Sequence, residues 1–205
     1  MKRQGVVKAE KCLNAALLAQ QRILKNYKGD NHFLNDPTDD WSNFLQSSIQ
    51  TYEILFTTSK RSNPISRQWF GSKIKKVASS DPLLKYIRAA RGVDYHGIET
   101  VLVSQSKAIG EISARDSRLP IQMISMTFTD SEGKSTKVHP EKAIILGEPQ
   151  IKLIDVTDHH GITQSVPKSH LGQPIENPSL TTIADFTMKY FKGVMLQAKD
   201  LMKNS

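Results

Sequence analysis

The sequence predicts an α+β protein: an N-terminal antiparallel helical bundle, then a small antiparallel β meander, and a C-terminal helix that packs back. Three observations support this fold class. Apolar residues recur at helical spacing in the first half of the chain, segments rich in Val and Ile occupy the second half, and an amphipathic segment closes the sequence. We expect a helical domain over residues 1–97 and a β region with the last helix over residues 98–205, packed together as one unit.

Four amphipathic segments make up the predicted bundle. They begin near Lys8, Asp36-Pro37, Asn63-Pro64 and Asp81-Pro82. Asn or Asp followed by Pro is typical of a helix start, because the side chain caps the helix and proline at the first position has no N–H to satisfy. In the fourth segment either Ser80 or Asp81 is the cap. Short connections between the segments favour antiparallel neighbours, and Trp69 and Phe70 of the third segment are expected in the core.

After residue 97 helical periodicity gives way to short strands. Residues 98–112 fit either a helix or a first strand. Strands are predicted over residues 121–129, 135–138, 143–146, 150–156 and 162–166, which are separated by turn residues. A proline-rich crossing follows, in which His170 either joins a site or caps the final helix region. The closing helix is predicted from Leu180 onward.

Positive charge is concentrated in the helical half. The chain carries 28 Lys and Arg against 20 Asp and Glu, but residues 1–92 hold 16 basic and 7 acidic side chains. A basic surface attracts polyanions such as RNA, although a solvated, solubility-promoting face is the alternative. The candidate substrate-binding residues in this half are Arg67, Lys73, Lys76 and Arg88.

Several classes of site lack their sequence signatures. Cys12 is the single cysteine, so a disulfide or a cysteine-based zinc site within one chain is excluded, and no two histidines have the spacing of a zinc helix. No apolar run approaches the length of a membrane span, and no signal-peptide pattern is present. No phosphate-binding glycine loop or nucleophile elbow occurs. We therefore expect a cytoplasmic protein with no metal, no cofactor and no membrane partner.

The end of the fourth predicted helix carries the pair of residues most suggestive of chemistry. Arg91 is a permanent cation that can bind phosphate oxygens, and His96 titrates near neutrality and can move a proton. That combination suits metal-free phosphodiester chemistry, with His96 as general base or acid and Arg91 stabilising the phosphorane charge. In the structural alternative, Arg91 caps its helix or pairs with Asp94, and His96 is a hydrogen-bonded loop residue.

Within an all-helical segment, an arginine followed by a histidine near the end of a late helix resembles the HEPN superfamily. The resemblance rests on Arg91 and His96 and covers roughly the first half of the chain. It implies a homodimer with a composite site, acting as a metal-independent endoribonuclease of a defence or toxin type system, or as an RNA-binding protein. The family usually has a polar residue after the arginine, where this chain has Gly92.

Residues 81–97 and 170–175 also resemble uncharacterised bacterial proteins, which implies no function. The alternative to an RNA-directed protein is a non-catalytic binding or dimerisation module. In such a module Arg91 and His96 are structural residues.

Overall fold

A computed structural model describes residues 1–95, 101–105, 108–113, 126–129, 135–138, 142–146, 150–158 and 160–203. It confirms the predicted α+β class. The chain divides into two compact units, the first comprising Met1–Ser104 with Gln150–Ser205 and the second Gln105–Pro149. The predicted boundary between residues 97 and 98 lies outside the described residues.

Helices dominate the first unit. They are α1 (Arg3–Asn26), α2 (Thr38–Lys60), α3 (Pro64–Trp69), α4 (Lys76–Ser80), α5 (Pro82–Tyr95) and α6 (Leu180–Lys203). A π-helical segment, Phe70–Lys75, joins α3 to α4, so the predicted third helix is one helical stretch with a wider turn in its middle. Helix α6 packs on α1 and α2, which confirms that the C-terminal helix returns to the bundle.

Two of the three predicted Asn-Pro or Asp-Pro helix starts have hydrogen-bonded caps, whereas the N-cap of α2 is Pro37, one residue after the predicted cap, and makes no side-chain cap bond. Asn63 accepts the amide N–H of Ser66 at 2.9 Å, and Asp81 accepts that of Leu84 at 3.0 Å. The cap of α5 is thus Asp81, because the hydroxyl of Ser80 donates instead to carbonyls of the preceding turn. Each cap satisfies an amide that has no partner within its own helix.

Large side chains from three of the helices and from the π-helical segment fill one core in this unit. The largest of those that are almost completely buried are Trp41, Tyr86, Phe44, Phe70 and Phe191. Trp69 and Phe70 were both predicted to be core residues, and they are 8% and 1% exposed. Burial of such rings is the main source of stabilisation in a helical bundle.

Twelve short strands lie in the described part of the chain. They are β1 (Tyr27–Gly29), β2 (His32–Phe33), β3 (Leu102–Gln105), β4 (Ala108–Ser113), β5 (Met126–Thr129), β6 (Ser135–Val138), β7 (Lys142–Leu146), β8 (Gln150–Leu153), β9 (Val156–Thr157), β10 (Thr163–Gln164), β11 (Ser169–His170) and β12 (Gln173–Pro174). Within residues 98–112, the described residues form strands β3 and β4 apart from a bend at Val101, which favours the strand over the helix there.

The strands pair in twos, and three of the pairings are nested. Strand β5 pairs antiparallel with β6, β4 pairs antiparallel with β7, and β3 pairs with β8. The hairpins β1–β2, β9–β10 and β11–β12 are local and antiparallel. Residues 135–138 therefore pair back on the preceding strand as predicted, with Met126 opposite Val138.

Among the described helices, none combines the length and apolar character that a membrane crossing requires.

Candidate functional site

Arg91 lies on α5, one turn before its end, and is half-buried against α2. Its Nε donates to Oε1 of Gln46 at 2.9 Å, and the hydroxyl of Ser42 donates to the carboxylate of Asp94. Arg91 and Asp94 are three residues apart on α5, and their partners on α2 are four residues apart. Both spacings place side chains on one face of a helix, so the two pairs form side by side. The hydrogen bond to Gln46 fixes the orientation of the Arg91 guanidinium. His96 lies outside the described residues, so its geometry relative to Arg91 stays a prediction.

Arg88, a predicted substrate-binding residue, is exposed and stands over an aromatic ring. Its guanidinium carbon lies 5.0 Å from the ring centroid of Tyr52, whose ring lies 5.2 Å from that of Phe70. Phe70 also contacts Phe56 at 5.4 Å, and the ammonium of Lys60 lies 4.2 Å from the Phe56 centroid. We call these five side chains the cation–aromatic row. Tyr52 and Phe56 are half-buried, and both rest on the buried Phe70.

The row arises from simple spacing on α2. Tyr52, Phe56 and Lys60 follow one another at intervals of four residues, which places them on one face over about 12 Å of helix. Phe70, at the junction of α3 and the π-helical segment, is inserted behind them. Helical periodicity predicts an apolar face on α2 that includes Tyr52 and Phe56 and is buried in the core. Lys60, four residues after Phe56, lies on the same face of α2. A charged side chain at this position indicates that the face extends to solvent.

The other predicted substrate-binding residues lie on the helical stretch that contains Phe70. Arg67 is on α3, Lys73 in the π-helical segment and Lys76 at the start of α4, and all three are exposed. Within the described residues, no hydrogen bond, ion pair or ring contact joins any of them to Arg88. Lys73 lines a groove of about 640 Å³ against α6. The structure therefore brings Arg88 into the row and leaves the other three cations on the adjoining surface.

A buried polar cluster that the sequence did not predict lies at the other end of α5. The carboxylate of Asp81 accepts from Nδ1 of His170 at 3.0 Å and from the amide of Leu171 at 2.6 Å, in addition to its cap. Because an ionised carboxylate only accepts, the proton of this contact belongs to Nδ1. The side chains of His170 and Asp81 are 6% and 4% exposed. The hydrogen bond gives His170 a structural role, a tie between the proline-rich crossing and the cap of α5, in place of the predicted cap of the final helix region.

Two tyrosines near these residues have perturbed acidities. The pKa of Tyr190 is raised to about 12, first by burial and then by the charges of Tyr52 and Asp81, while the charge of Arg88 acts in the opposite direction. Burial also raises the pKa of Tyr86, whose hydroxyl donates to the carbonyl of Ile154 at 2.9 Å. The buried hydroxyl of Tyr190 has no hydrogen-bond partner within the described part of the chain. Both rings are therefore held in the neutral form well above the usual pKa of tyrosine.

Comparison of the chain with known proteins finds no similar protein. No family model, curated protein or solved structure matches this chain. The likeness of Arg91 and His96 to the HEPN motif accordingly stays a prediction. Within the described residues, no three His, Cys, Asp or Glu side chains lie close enough to hold a metal ion together.

Proposed function

We propose that this chain is a cytoplasmic protein that binds single-stranded RNA along the cation–aromatic row. One observation carries the proposal: Arg88 and Lys60 each stand over a half-buried ring, Tyr52 or Phe56, at 5.0 Å and 4.2 Å. Cations that rest on aromatic rings are held in place before a ligand arrives. They are thus positioned to meet phosphate oxygens.

The rings supply the second part of the interaction. Single-stranded nucleic acids bind proteins through cationic grooves in which bases stack on aromatic side chains. A base can stack on the guanidinium plane of Arg88 above Tyr52, or on the part of a half-buried ring that its cation leaves open. The buried Phe70 behind the two rings limits their movement. Paired bases are not accessible to rings on a protein surface, which favours single-stranded RNA over a duplex. The excess of basic side chains in residues 1–92 adds a long-range attraction.

The binding experiment compares two aromatic pairs of the same geometry. Tyr52 and Phe70 lie 5.2 Å apart at 56°, and Tyr27 and Phe33, outside the row, lie 5.3 Å apart at 52°. Loss of one stacked base costs about 1–3 kcal/mol, so Tyr52→Leu should weaken RNA binding about fivefold or more. Tyr27→Leu should leave the affinity unchanged. Equal losses in the two variants, measured by fluorescence anisotropy with a labelled oligonucleotide, would contradict the proposal.

We further propose that the bound RNA is cleaved without a metal, by Arg91 and His96 of two chains in a homodimer, as the HEPN resemblance implies. His96 transfers the proton of the ribose 2′-hydroxyl, and Arg91 stabilises the charge on the phosphorane, a contribution of about 3 kcal/mol by analogy with an oxyanion donor. The contact with Gln46 supports this role because a guanidinium held in one plane is ready for two phosphate oxygens.

Cleavage is tested on a mixed RNA pool in EDTA, with products resolved by size and by end chemistry. Attack by the 2′-hydroxyl predicts products with 2′,3′-cyclic phosphate ends, and His96→Ala should abolish them without loss of folding. Products that persist in His96→Ala, or that require a divalent cation, would contradict metal-free cleavage by this residue.

The second candidate is a non-catalytic binding or dimerisation module. The observation that favours it is the same hydrogen bond between Arg91 and Gln46, which ties α5 to α2 and gives Arg91 a structural reason to be present. Gly92, in place of the polar residue usual in the HEPN family, also favours this candidate. A stable homodimer that neither binds nor cleaves RNA would support it.

A further inference from the structure

A pocket of about 420 Å³ opens on the side of α5 that faces the hairpin β9–β10. Helix α5 contributes Lys85, Arg88 and Gly92 to its lining, and the hairpin contributes Ile162 and Gln164. The volume falls in the range of small-molecule binding sites, roughly 300–1,000 Å³. We call this cavity the α5 pocket. It adjoins the cation–aromatic row, because Arg88 belongs to both.

Among the described residues, nothing other than this pocket requires glycine at position 92. Gly92 lies inside α5, its φ is not in the left-handed region, and a Cβ built on it would meet no atom of the described residues within 4 Å. Glycine inside a helix is less favourable than alanine. Because neither the available space nor the backbone conformation requires glycine at position 92, this residue lowers the stability of α5. Since Gly92 lines the pocket, a side chain at this position would take up part of its volume.

The opposite wall presents an apolar side chain that is held in place. Ile162 is 54% exposed, and its amide donates to Oδ1 of Asp158 at 3.0 Å. Its carbonyl accepts from the amide of Asp158 at 3.1 Å, so the turn that carries Ile162 is closed at both ends. Facing it across the pocket are Ala89 and Val93 of α5. These small and apolar groups form a slot that suits a flat, uncharged ring.

Two cations and one carboxylate line the pocket, and Oδ1 of that carboxylate, Asp158, already accepts the amides of His160 and Ile162. Lys85 and Arg88 are exposed, stand one turn apart on α5, and line the same pocket. Arg88 is held over Tyr52, and its fork suits phosphate oxygens. Gln164, half-buried on β10, has an amide that can both donate to and accept from the edge of a base.

We propose that the α5 pocket is a subsite for one nucleotide of the bound RNA. The base enters the slot between Gly92 and Ile162, its edge is read by Gln164, and its phosphate lies against Arg88 and Lys85. This inference rests on the proposed function, because the phosphate contacts continue the cation–aromatic row. The subsite adds hydrogen bonds to the edge of a base, which the cation–aromatic row alone does not provide.

The experiment titrates the full chain with the four ribonucleoside monophosphates, with inorganic phosphate, and separately with a single-stranded RNA, by isothermal calorimetry. The test variant is Gly92→Leu, which fills the slot. Its matched control is Gly193→Leu in α6, because Gly193 is also helical and a Cβ there would also meet nothing within 4 Å. Thermal melting establishes that both variants are folded.

We expect at least one monophosphate to bind with an affinity about tenfold or more above that of inorganic phosphate. Gly92→Leu should weaken this binding about tenfold or more, without lowering the melting temperature, whereas Gly193→Leu should leave it unchanged. RNA should displace the monophosphate from the wild-type protein.

Each contrary result has a distinct meaning. Equal binding of inorganic phosphate and monophosphates, no monophosphate binding at millimolar concentration, or full binding by Gly92→Leu overturns the subsite. If RNA still binds in those cases, the proposed function stands without the subsite. Binding of a monophosphate that RNA does not displace overturns the subsite alone, since the pocket then serves a free nucleotide. Failure of single-stranded RNA to bind at all overturns the proposed function.

Discussion

Nδ1 of His170 lies 3.0 Å from Oδ1 of Asp81, although the two residues are 89 positions apart in the chain. The same carboxylate caps α5 through the amide of Leu84 and accepts the amide of Leu171. One buried side chain therefore fixes both a helix start and the return of the proline-rich crossing. His170 also packs edge-on against the ring of Tyr190 in α6, with the ring centroids 5.7 Å apart.

Asp81→Ala should cause a large loss of stability. The substitution removes a cap and leaves a buried imidazole and two amides without their acceptor, and breaking a buried pair of this kind typically costs about 3–5 kcal/mol. Asp36→Ala is the matched control, since Asp36 also accepts a backbone amide, that of Thr38, but is exposed. Its cost should be about 1 kcal/mol or less. Urea unfolding measures both, and similar losses in the two variants would contradict a tertiary role for Asp81.

Two tyrosine-to-phenylalanine substitutions should have different effects. Tyr86→Phe removes the hydrogen bond to the carbonyl of Ile154 and should cost about 1 kcal/mol, because a buried acceptor loses its donor. Tyr190→Phe removes a buried hydroxyl that has no partner within the described residues, so its effect should be near zero or stabilising. The midpoints of urea unfolding give the comparison. A larger loss in Tyr190→Phe than in Tyr86→Phe would show that the hydroxyl of Tyr190 is bonded.

Stability should fall at alkaline pH. A tyrosine is neutral when protonated, and the folded-state pKa of Tyr190 is raised to about 12 from the ordinary value of 10.0. The folded chain thus retains a proton that the unfolded chain loses. The contribution to stability is complete below pH 10, and it decreases between about pH 10 and pH 12. Tyr86 acts in the same direction.

The alkaline effect is measured by unfolding the wild-type chain and Tyr190→Phe at successive pH values. Tyr190→Phe should lose less stability than the wild type over this interval, because its ring cannot ionise. Absorbance at 295 nm provides an independent check, since two of the five tyrosines should ionise late. Five tyrosines that all titrate near pH 10 in the folded chain would be incompatible with the raised pKa values.

Helix starts could be predicted from the sequence, whereas tertiary contacts could not, and the difference has a physical reason. Asn63 and Asp81 cap their helices through amides three residues away, so the interaction is contained in the local sequence. The contact of Asp81 with His170 depends on how the proline-rich crossing folds back onto α5. No local pattern distinguishes His170 from a residue that faces solvent. Similarly, periodicity identified the apolar face of α2, but it did not show how far other helices would cover Tyr52.

The hydrogen bond between Arg91 and Gln46 permits a decision between the catalytic and the structural role of Arg91. If that bond is structural, Arg91→Ala and Gln46→Ala should each cost about 1 kcal/mol, and the double variant should cost little more than either single variant. If Arg91 serves catalysis, its replacement should be nearly neutral or stabilising, because residues kept for activity are seldom optimal for stability. RNA cleavage should then be lost in Arg91→Ala.

The two readouts also separate a third outcome. Gln46→Ala keeps the guanidinium but removes the contact that orients it, so a catalytic Arg91 predicts a partial loss of cleavage in this variant, smaller than that in Arg91→Ala. Restoration by Gln46→Glu would support orientation by this residue, because a carboxylate also accepts from Nε. Full cleavage in both alanine variants, together with coupled losses of stability, would assign Arg91 to the joint between α2 and α5.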